Sequence, residues 1–241
     1  MSSIVQMFGR RLRLGLVGGA SGFIGPVHRT AARLDDLWEI VAGTMSSDPG
    51  RGSAAAAAIG LPAERAYPSA EAMIAREAER PDGIDAVAIM TPNAYHFPAA
   101  MAALEAGLDV ICDKPMTFDL AQAEELLKVV EKSGVVFAVT HNYTGYPLVR
   151  QAREMVAAGE LGTLRLVQVE YPQEWLTEPI EQTGQKQAAW RTDPARSGGG
   201  GCLGDIGTHA YQLACFVSGL KAHAVSADVA TLVPGRALDD Q

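Results

Sequence analysis

Cysteine is scarce in this 241-residue sequence, which holds only Cys112, Cys202 and Cys215. An odd number of cysteines argues against a disulfide framework, and the lack of a C-x-x-C pair argues against a cysteine-based zinc site. We therefore expect neither a covalent cross-link nor a bound metal.

Long apolar runs are also missing. No run approaches the roughly 18 residues that a membrane-spanning helix needs. The first residues do not form an apolar core followed by a small-residue cleavage signal, so they do not resemble a secretory peptide. The sequence predicts a cytoplasmic protein that does not enter a membrane.

Positive charge is in deficit, since 20 basic residues face 28 acidic ones and the formal net charge is −8. A polyanion such as DNA would be repelled by this balance, so we expect no nucleic-acid partner. The one basic cluster is Arg10, Arg11 and Arg13. We interpret residues 1–11 as a basic, solvated N-terminal tail.

The chain does contain a regular alternation of short apolar runs and helical patterns up to about residue 140. The runs are continuously apolar, which is typical of strands covered on both faces of a parallel sheet. This order predicts a doubly wound Rossmann-type α/β domain over residues 12–140. The predicted strands are Leu12–Val17, Ile40–Met45, Asp85–Met90, Asp109–Cys112 and Val135–Thr140.

The pattern changes in residues 141–241. Helices are predicted over Leu148–Ala158 and Asp205–Val217, and alternating apolar residues predict strands over Thr163–Tyr171 and Ala222–Leu232. A long polar stretch with proline and glycine separates them. Two strands and two helices are too few to enclose a hydrophobic core. We therefore expect a partial α+β domain, with an incomplete sheet, that serves substrate binding and oligomerisation.

A glycine loop follows the first predicted strand and precedes a helical stretch. Its spacing, G-x-x-G-x-x-G over Gly19, Gly22 and Gly25, is one residue longer than the usual dinucleotide fingerprint. Glycine lets backbone amides approach a pyrophosphate, and the helix N-terminus attracts its charge. The loop therefore predicts binding of NAD or NADP. The expected contacts are Gly18, Gly19, Ser21, Gly22, Phe23 and Ile24.

The end of the second predicted strand bears on the choice between NAD and NADP. NAD specificity usually needs an acid there, whereas a ribose phosphate prefers hydroxyl groups and an arginine. The strand is followed by Ser46 and Ser47, with Arg51 shortly after, which favours NADP slightly. Asp48 could still accept a hydrogen bond from a ribose hydroxyl, or it could instead cap a helix.

Further polar residues follow the next strands, where open α/β sheets bind ligands. They form the segments Thr91-Pro92-Asn93-x-x-His96 and Asp113-Lys114-Pro115. Much later, Asp205 and His209 are four residues apart and would share one face of a helix. A base for the hydroxyl proton and a cation for the developing alkoxide are what alcohol oxidation requires. Thr91, Asn93, His96 and Asp113 are expected to contact the coenzyme.

Taken together, the glycine loop, these two segments and Gly204-Asp205-Ile206-Gly207-Thr208-His209 resemble the glucose–fructose oxidoreductase, inositol dehydrogenase and MocA family. The resemblance implies that His209 is the general base, that Lys114 polarises the reacting oxygen and that Asp205 orients the substrate or its partner. It also implies a sugar or polyol substrate. Tyr143, Trp190 and Arg191 are candidates to line the substrate site, although Trp190 could equally be an ordinary packing residue.

Two departures from the family pattern concern the motif and the length. Asp113 stands where the family has glutamate, which shortens the carboxylate but keeps its charge. The family also has a longer C-terminal domain, an open and mostly antiparallel sheet that builds a dimer interface. The chain therefore looks truncated in this domain, and we expect a homo-oligomer, either dimer or tetramer, because an exposed sheet edge invites association.

Three alternatives to a sugar dehydrogenase follow from the same residues. A short-chain dehydrogenase or epimerase has a similar glycine loop but needs a Tyr-x-x-x-Lys pair, and none of the six tyrosines has a lysine four residues later. A non-catalytic dinucleotide sensor and a glycosidase that retains its coenzyme both stay open.

Overall fold

The computed structural model describes residues 7–34 and 36–241. They divide into two compact units, with the boundary between Val139 and Thr140. The predicted N-terminal tail of residues 1–11 lies partly outside the described residues.

The first unit is built on a five-stranded sheet in the order β2-β1-β3-β4-β5, in which all neighbours are parallel. The predicted Rossmann-type sheet is confirmed, with strand ends that shift by a residue or two. The strands are β1 Leu12–Gly18, β2 Trp38–Thr44, β3 Ala86–Met90, β4 Asp109–Cys112 and β5 Phe137–Val139. The helices of this unit are α1 Ile24–Leu34, α2 Pro49–Ala58, α3 Ala70–Ala78, α4 His96–Glu105 and α5 Leu120–Ser133.

Helices cover both faces of this sheet, which explains why its strands lack apolar–polar alternation. On one face, Leu16 and Ala88 pack with residues of α1 and α2. On the other face, Val87 and Ile89 pack with residues of α3, α4 and α5. The chain crosses from one side of the sheet to the other between β1 and β3, so the strand order reverses there. Ligands of open α/β sheets bind outside the carboxyl ends of the strands at such a reversal.

The basic cluster around the start of β1 does not behave as a purely solvated tail. Arg10 donates to both carboxylate oxygens of Asp85, at 2.6 and 2.8 Å, and Arg11 pairs with Asp36. The Arg10 guanidinium holds the pKa of Asp85 below its usual value. Asp85 also accepts the backbone N–H of Arg13, so this carboxylate ties the start of β1 to the start of β3.

The second unit contains helices and turns but no strand among its described residues. The helices are α6 Pro147–Ala157, α7 Lys186–Arg191, α8 Pro194–Ser197 and α9 Thr208–Ser218, and a π-helical turn, Leu203–Gly207, leads into α9. The predicted helix over Asp205–Val217 is thus a π turn followed by an α-helix. Gly219, with φ 71°, ends α9 in the left-handed conformation.

The strands predicted over Thr163–Tyr171 and Ala222–Leu232 are wrong for this structure. Alternating apolar residues make a strand only when a neighbouring strand takes their backbone hydrogen bonds, and in the described chain these two segments pair neither with each other nor with another strand. Their apolar side chains stay exposed, with Leu166 at 81% and Val225 at 84%. The expected antiparallel sheet is therefore not formed by these residues.

A buried ion pair joins the segment between α2 and α3 to α3 itself. Arg65 donates through Nε to Glu77 at 3.0 Å, and the two side chains are 9% and 0% exposed. The Tyr67 hydroxyl donates to the same carboxylate at 2.7 Å. Burial and the Glu77 carboxylate together raise the pKa of Tyr67 to about 12.

Removal of one partner of this pair is expected to destabilise the first unit. Arg65→Met leaves the Glu77 charge uncompensated, which typically costs about 3–5 kcal/mol, whereas the double variant with Glu77→Leu recovers most of the loss. Urea unfolding, monitored by circular dichroism, measures the free energy of unfolding of the single and the double variant. Arg80→Met, which breaks an exposed pair with Asp82, serves as the control and should barely move the midpoint. Equal midpoints for Arg65→Met and wild type would contradict this account.

Candidate functional site

The glycine loop lies between β1 and α1 and depends on close backbone approach. Gly18, Gly19 and Gly22 have φ values of 88°, 82° and 95°, which side-chain-bearing residues rarely adopt. A Cβ atom on Gly25 would collide with the backbone of Gly19. The loop therefore brings the N-terminus of α1 against the end of β1 as closely as the backbone allows, which is the arrangement that suits a pyrophosphate.

The ends of β2 and β3, which precede several of the predicted coenzyme residues, lie beside this loop. The backbone N–H of Ala20 donates to the Met45 carbonyl at 3.2 Å, which places the loop beside the end of β2 and the serines that follow it. Gly18 is the register partner of Met90, so Thr91 follows β3 at the same edge. Ser21, Gly22 and Phe23 are exposed, and Ile24 is half-buried.

Thr91 supplies an independent sign that a ligand fits here. Its hydroxyl oxygen is buried and has no hydrogen-bond partner among the described residues. A buried polar atom normally finds a partner. A hydroxyl without one, next to a glycine loop at the carboxyl end of β3, fits a bound polar group such as a dinucleotide.

Asp48 caps α2, as one of the sequence alternatives foresaw. Its Oδ1 accepts the backbone N–H of Arg51 at 2.7 Å, and its own N–H donates to Ser46 Oγ at 3.2 Å. The Arg51 side chain is 63% exposed and its Nε lies 3.8 Å from Asp48. Ser47 is exposed. Asp48, four residues past the end of β2, is thus engaged in a cap, while the Ser47 hydroxyl and the Arg51 guanidinium are exposed.

The segment Asp113-Lys114-Pro115 follows β4, and the bond between Lys114 and Pro115 is cis. The Asp113 N–H donates to the Ile89 carbonyl at 3.0 Å. Its carboxylate Oδ1 lies 2.8 Å from His28 Nε2 on α1. His28 belongs to none of the motifs recognised in the sequence. Its position three residues after Gly25, on the helix of the glycine loop, was the signal that could have linked it to the site.

His96 lies beneath the site, and only 1% of it is exposed. Its Nδ1 is 2.8 Å from the Pro115 carbonyl oxygen, and its Nε2 is 2.7 Å from the Thr91 carbonyl oxygen. Both nitrogens therefore face protein carbonyls from the two loops that flank the site. The geometry supports a role in holding these loops, and the predicted coenzyme contact of His96 stays a prediction.

The predicted residues of the second unit form two neighbouring groups. In the first, the Tyr143 ring lies 4.8 Å from the His209 ring, centroid to centroid, and the Tyr143 and Tyr171 hydroxyls are hydrogen-bonded. Burial and Tyr171 raise the pKa of Tyr143 to about 12. Tyr171 was missed in the sequence, because it lies in a segment that we predicted as a strand.

The second group centres on Asp205, in the π-helical turn before α9. Its Oδ2 accepts from Arg191 Nε at 2.9 Å. The Arg191 guanidinium stacks over the Trp190 ring at 4.3 Å and faces the Trp175 ring at 5.7 Å. Arg191 and Trp190 were predicted to line the substrate site. In the structure, Arg191 is hydrogen-bonded to Asp205, the predicted catalytic aspartate.

The sequence matches two family models. A model described as "Oxidoreductase family, NAD-binding Rossmann fold" covers residues 12–141, and one described as "GFO/IDH/MocA C-terminal domain" covers residues 149–241. The chain belongs to the Gfo/Idh/MocA oxidoreductase family. The match to the C-terminal model shows that this family domain is represented in the second unit.

Individual relatives agree with this assignment. The oxidoreductase YfiI of Bacillus subtilis is 36% identical over 86% of this chain, and levoglucosan dehydrogenase of Pseudarthrobacter phenanthrenivorans is 30% identical over 95%. The chain spans 53% and 56% of these two proteins, so it corresponds to a little more than half of the length of such Gfo/Idh/MocA oxidoreductases.

Solved structures of the family are also similar. An oxidoreductase from Sinorhizobium meliloti has a TM-score of 0.84 and 51% identity over 96% of this chain and 59% of its own. An inositol dehydrogenase homologue from Azotobacter vinelandii, complexed with NAD+, has a TM-score of 0.83 and 41% identity over 86% of this chain and 54% of its own.

Two further properties of this Gfo/Idh/MocA chain concern the described residues alone. They contain no helix of the length and apolarity that a bilayer crossing requires. They also contain no group of three or more histidine, cysteine or acidic side chains with the geometry of a metal site.

The burial of His96 leads to a prediction about pH. Burial lowers the pKa of His96, helped by Lys114 and opposed by the two carbonyls and Asp113. The ring therefore takes up a proton less readily in the folded protein than in the unfolded chain, where a histidine titrates near pH ~6.5. His96 should therefore make its full contribution to the free energy of unfolding above that pH, and this contribution should decline as the pH falls below it.

His96→Gln should flatten this decline, because glutamine does not titrate. Urea unfolding at several pH values between 8 and 5 measures the slope for wild type and variant. His223→Gln changes an exposed histidine of the second unit and should leave the slope as in wild type. The same slope in His96→Gln as in wild type would show that His96 does not contribute.

Proposed function

We propose that this chain carries the coenzyme and reaction centre of an NAD(P)-dependent dehydrogenase acting on a secondary alcohol of a sugar, inositol or related polyol. The observation that carries the proposal is the arrangement at the edge of the parallel sheet. The glycine loop follows β1, Thr91 follows the adjacent β3, and Lys114 follows the next strand, β4. The names of similar proteins, levoglucosan dehydrogenase and inositol dehydrogenase homologue, support the substrate class.

The coenzyme would be held by the first unit. Backbone amides of the glycine loop bind its pyrophosphate, and the buried Thr91 hydroxyl offers a further polar contact. When bound, the nicotinamide supplies the hydride acceptor. The remaining contacts that we propose are Gly18, Gly19, Ser21, Gly22, Phe23, Ile24, Asn93, His96 and Asp113.

The reaction needs a cation and a base. Lys114 stabilises the negative charge that develops on the substrate oxygen, because an ammonium group lowers the energy of an alkoxide in a water-poor site. His209 takes the hydroxyl proton as general base. Asp205 orients the substrate, and its bond to Arg191 fixes the direction of its carboxylate.

The substrate would be a polar ring with several hydroxyl groups. In the second unit, Tyr143 and Trp190 offer aromatic surfaces and Arg191 offers N–H donors, the combination that suits stacking and hydrogen bonding of a sugar. The Tyr143 hydroxyl is held by Tyr171, so its direction is set before a substrate arrives. We further propose a homo-oligomer as the working form.

For the coenzyme we favour NADP over NAD. Asp48 uses its carboxylate to cap α2, which leaves it less suited to read a ribose hydroxyl. Ser46, Ser47 and the exposed Arg51 remain as donors for a ribose phosphate. Related proteins include both types by name, since one structure is an NAD+ complex and one relative is a D-xylose 1-dehydrogenase that uses NADP+.

Turnover is tested by the rise in absorbance at 340 nm with myo-inositol, levoglucosan and D-xylose in the presence of NAD+ or NADP+. Lys114→Ala should reduce kcat by at least about a hundredfold, since loss of one stabilising donor costs roughly 2.7–4 kcal/mol, while coenzyme affinity changes by a few-fold at most. Lys128→Ala, on exposed α5 surface, is the matched control.

Other outcomes of this assay separate the alternatives. Unchanged kcat in Lys114→Ala removes Lys114 from the mechanism. Tight NADH binding without turnover on any polyol supports a dinucleotide sensor. Flat absorbance with release of a sugar from a glycoside supports a glycosidase that retains its coenzyme.

The preference for NADP predicts a specific effect at Arg51. Arg51→Ala should weaken NADPH binding about tenfold, because a charge-assisted hydrogen bond contributes roughly 1.5–3 kcal/mol. NADH binding should stay within about twofold, since NADH lacks the phosphate. Fluorescence titration with both coenzymes measures the ratio, and an equal loss for both would contradict the assignment.

A further inference from the structure

A histidine on the helix of the glycine loop contacts the acid that precedes Lys114. His28 lies on α1, and its Nε2 is 2.8 Å from Asp113 Oδ1. Their side chains are 12% and 13% exposed. A carboxylate accepts, so the ring nitrogen donates. The bond thus joins the β1–α1 region to the end of β4, although 85 residues separate the two positions.

The same helix is also fixed to the glycine loop itself. Arg29, the next residue, donates through Nη1 to the Gly19 carbonyl oxygen at 3.0 Å. The backbone of Gly25, in the first turn of α1, packs against the backbone of Gly19. Any shift of α1 therefore changes the loop, and through His28 it also changes Asp113.

Lys114 is the residue between two anchored neighbours. On one side, the Asp113 side chain is held by His28 and its N–H by the Ile89 carbonyl. On the other side, the Pro115 carbonyl oxygen lies 2.8 Å from His96 Nδ1. Because both flanking residues are held, the backbone from which the lysine extends has little freedom.

We propose that His28 is a positioning residue: its bond to Asp113 sets the distance and orientation of the Lys114 segment relative to the loop that binds the coenzyme. This inference rests on the proposed function, because it assigns the coenzyme to the glycine loop. An aspartate has a short side chain with few rotamers, so a bond to its carboxylate constrains the adjoining backbone more than a bond to a longer acid would.

Substitutions at position 28 separate the effect of the hydrogen bond from the effect of the volume of the imidazole ring. His28→Gln keeps an Nε2 donor at a similar reach from the backbone. His28→Leu removes the donor and keeps an apolar side chain of moderate size. His223→Gln replaces an exposed histidine of the second unit and is the matched control.

The first measurement is the binding of NADPH and NADH to the full chain, which is monitored through the fluorescence of the reduced nicotinamide. We expect His28→Leu to raise the Kd of the preferred coenzyme about tenfold and to shift the emission, because a hydrogen bond to a charged group is lost. His28→Gln should restore the Kd to within about threefold, and His223→Gln should match wild type. A Kd for His28→Leu equal to that of wild type overturns the proposal.

A double-mutant cycle tests whether His28 acts through Asp113. If it does, Asp113→Asn combined with His28→Leu weakens binding no more than the stronger single change, since residues of one bond are not additive. Additive losses overturn the proposal.

Should His28→Leu fail to fold, His28→Gln and His28→Asn replace it. The shorter asparagine then weakens binding and glutamine does not, and equal Kd values for the two overturn the proposal.

The outcomes distinguish the two hypotheses. Wild type that binds neither NADPH nor NADH overturns the proposed function and this inference with it. Wild type that binds a coenzyme, with position 28 having no effect, overturns only the inference. Where the 340 nm assay has found an active polyol, His28→Leu should lower kcat with a smaller change in the KM of that polyol, and a loss confined to KM overturns a role in holding Lys114.

Discussion

The close contact between Gly19 and Gly25 is the constraint on which the first unit's site depends. No side chain separates these two backbones, so α1 begins directly against the end of β1. The position of α1 in turn lets Arg29 reach the Gly19 carbonyl and lets His28 reach Asp113. A single close backbone approach thus fixes the loop that would hold a pyrophosphate and one support of the segment that carries Lys114.

Histidine has two different tasks in this arrangement. His28 donates to a carboxylate near the surface, whereas His96 is buried and directs both ring nitrogens at backbone carbonyls. Both lie on helices that follow strands of the sheet, and both contact the segment around Lys114. The backbone around Lys114 is therefore held through its two neighbours in the chain, Asp113 and Pro115.

The second unit uses aromatic rings and one ion pair to organise polar groups. Tyr143 links His209 to Tyr171, and Arg191 links Asp205 to two tryptophans. Elsewhere the unit is held by Arg236, which is buried and pairs with Glu181 and Asp240. Apart from Arg191 with Trp190 and Arg236 with Asp240, these contacts join residues at least 14 positions apart, and they hold a unit whose described residues lack a sheet.

The sequence alone was sufficient for the Rossmann-type sheet, its five strands and the glycine loop, because continuous apolar runs and glycine spacing are local signals. Its motifs also suggested Lys114, Asp205 and His209 as catalytic residues through the family resemblance, and these roles stay predictions. It was wrong about the strands over Thr163–Tyr171 and Ala222–Leu232, because apolar alternation does not reveal whether a pairing partner exists. Only the tertiary structure showed the contacts of His28 with Asp113, of Tyr143 with Tyr171 and of Arg191 with Asp205. Each of these joins residues that are 14 to 85 positions apart, and no local pattern of side chains encodes a contact that depends on how whole elements pack.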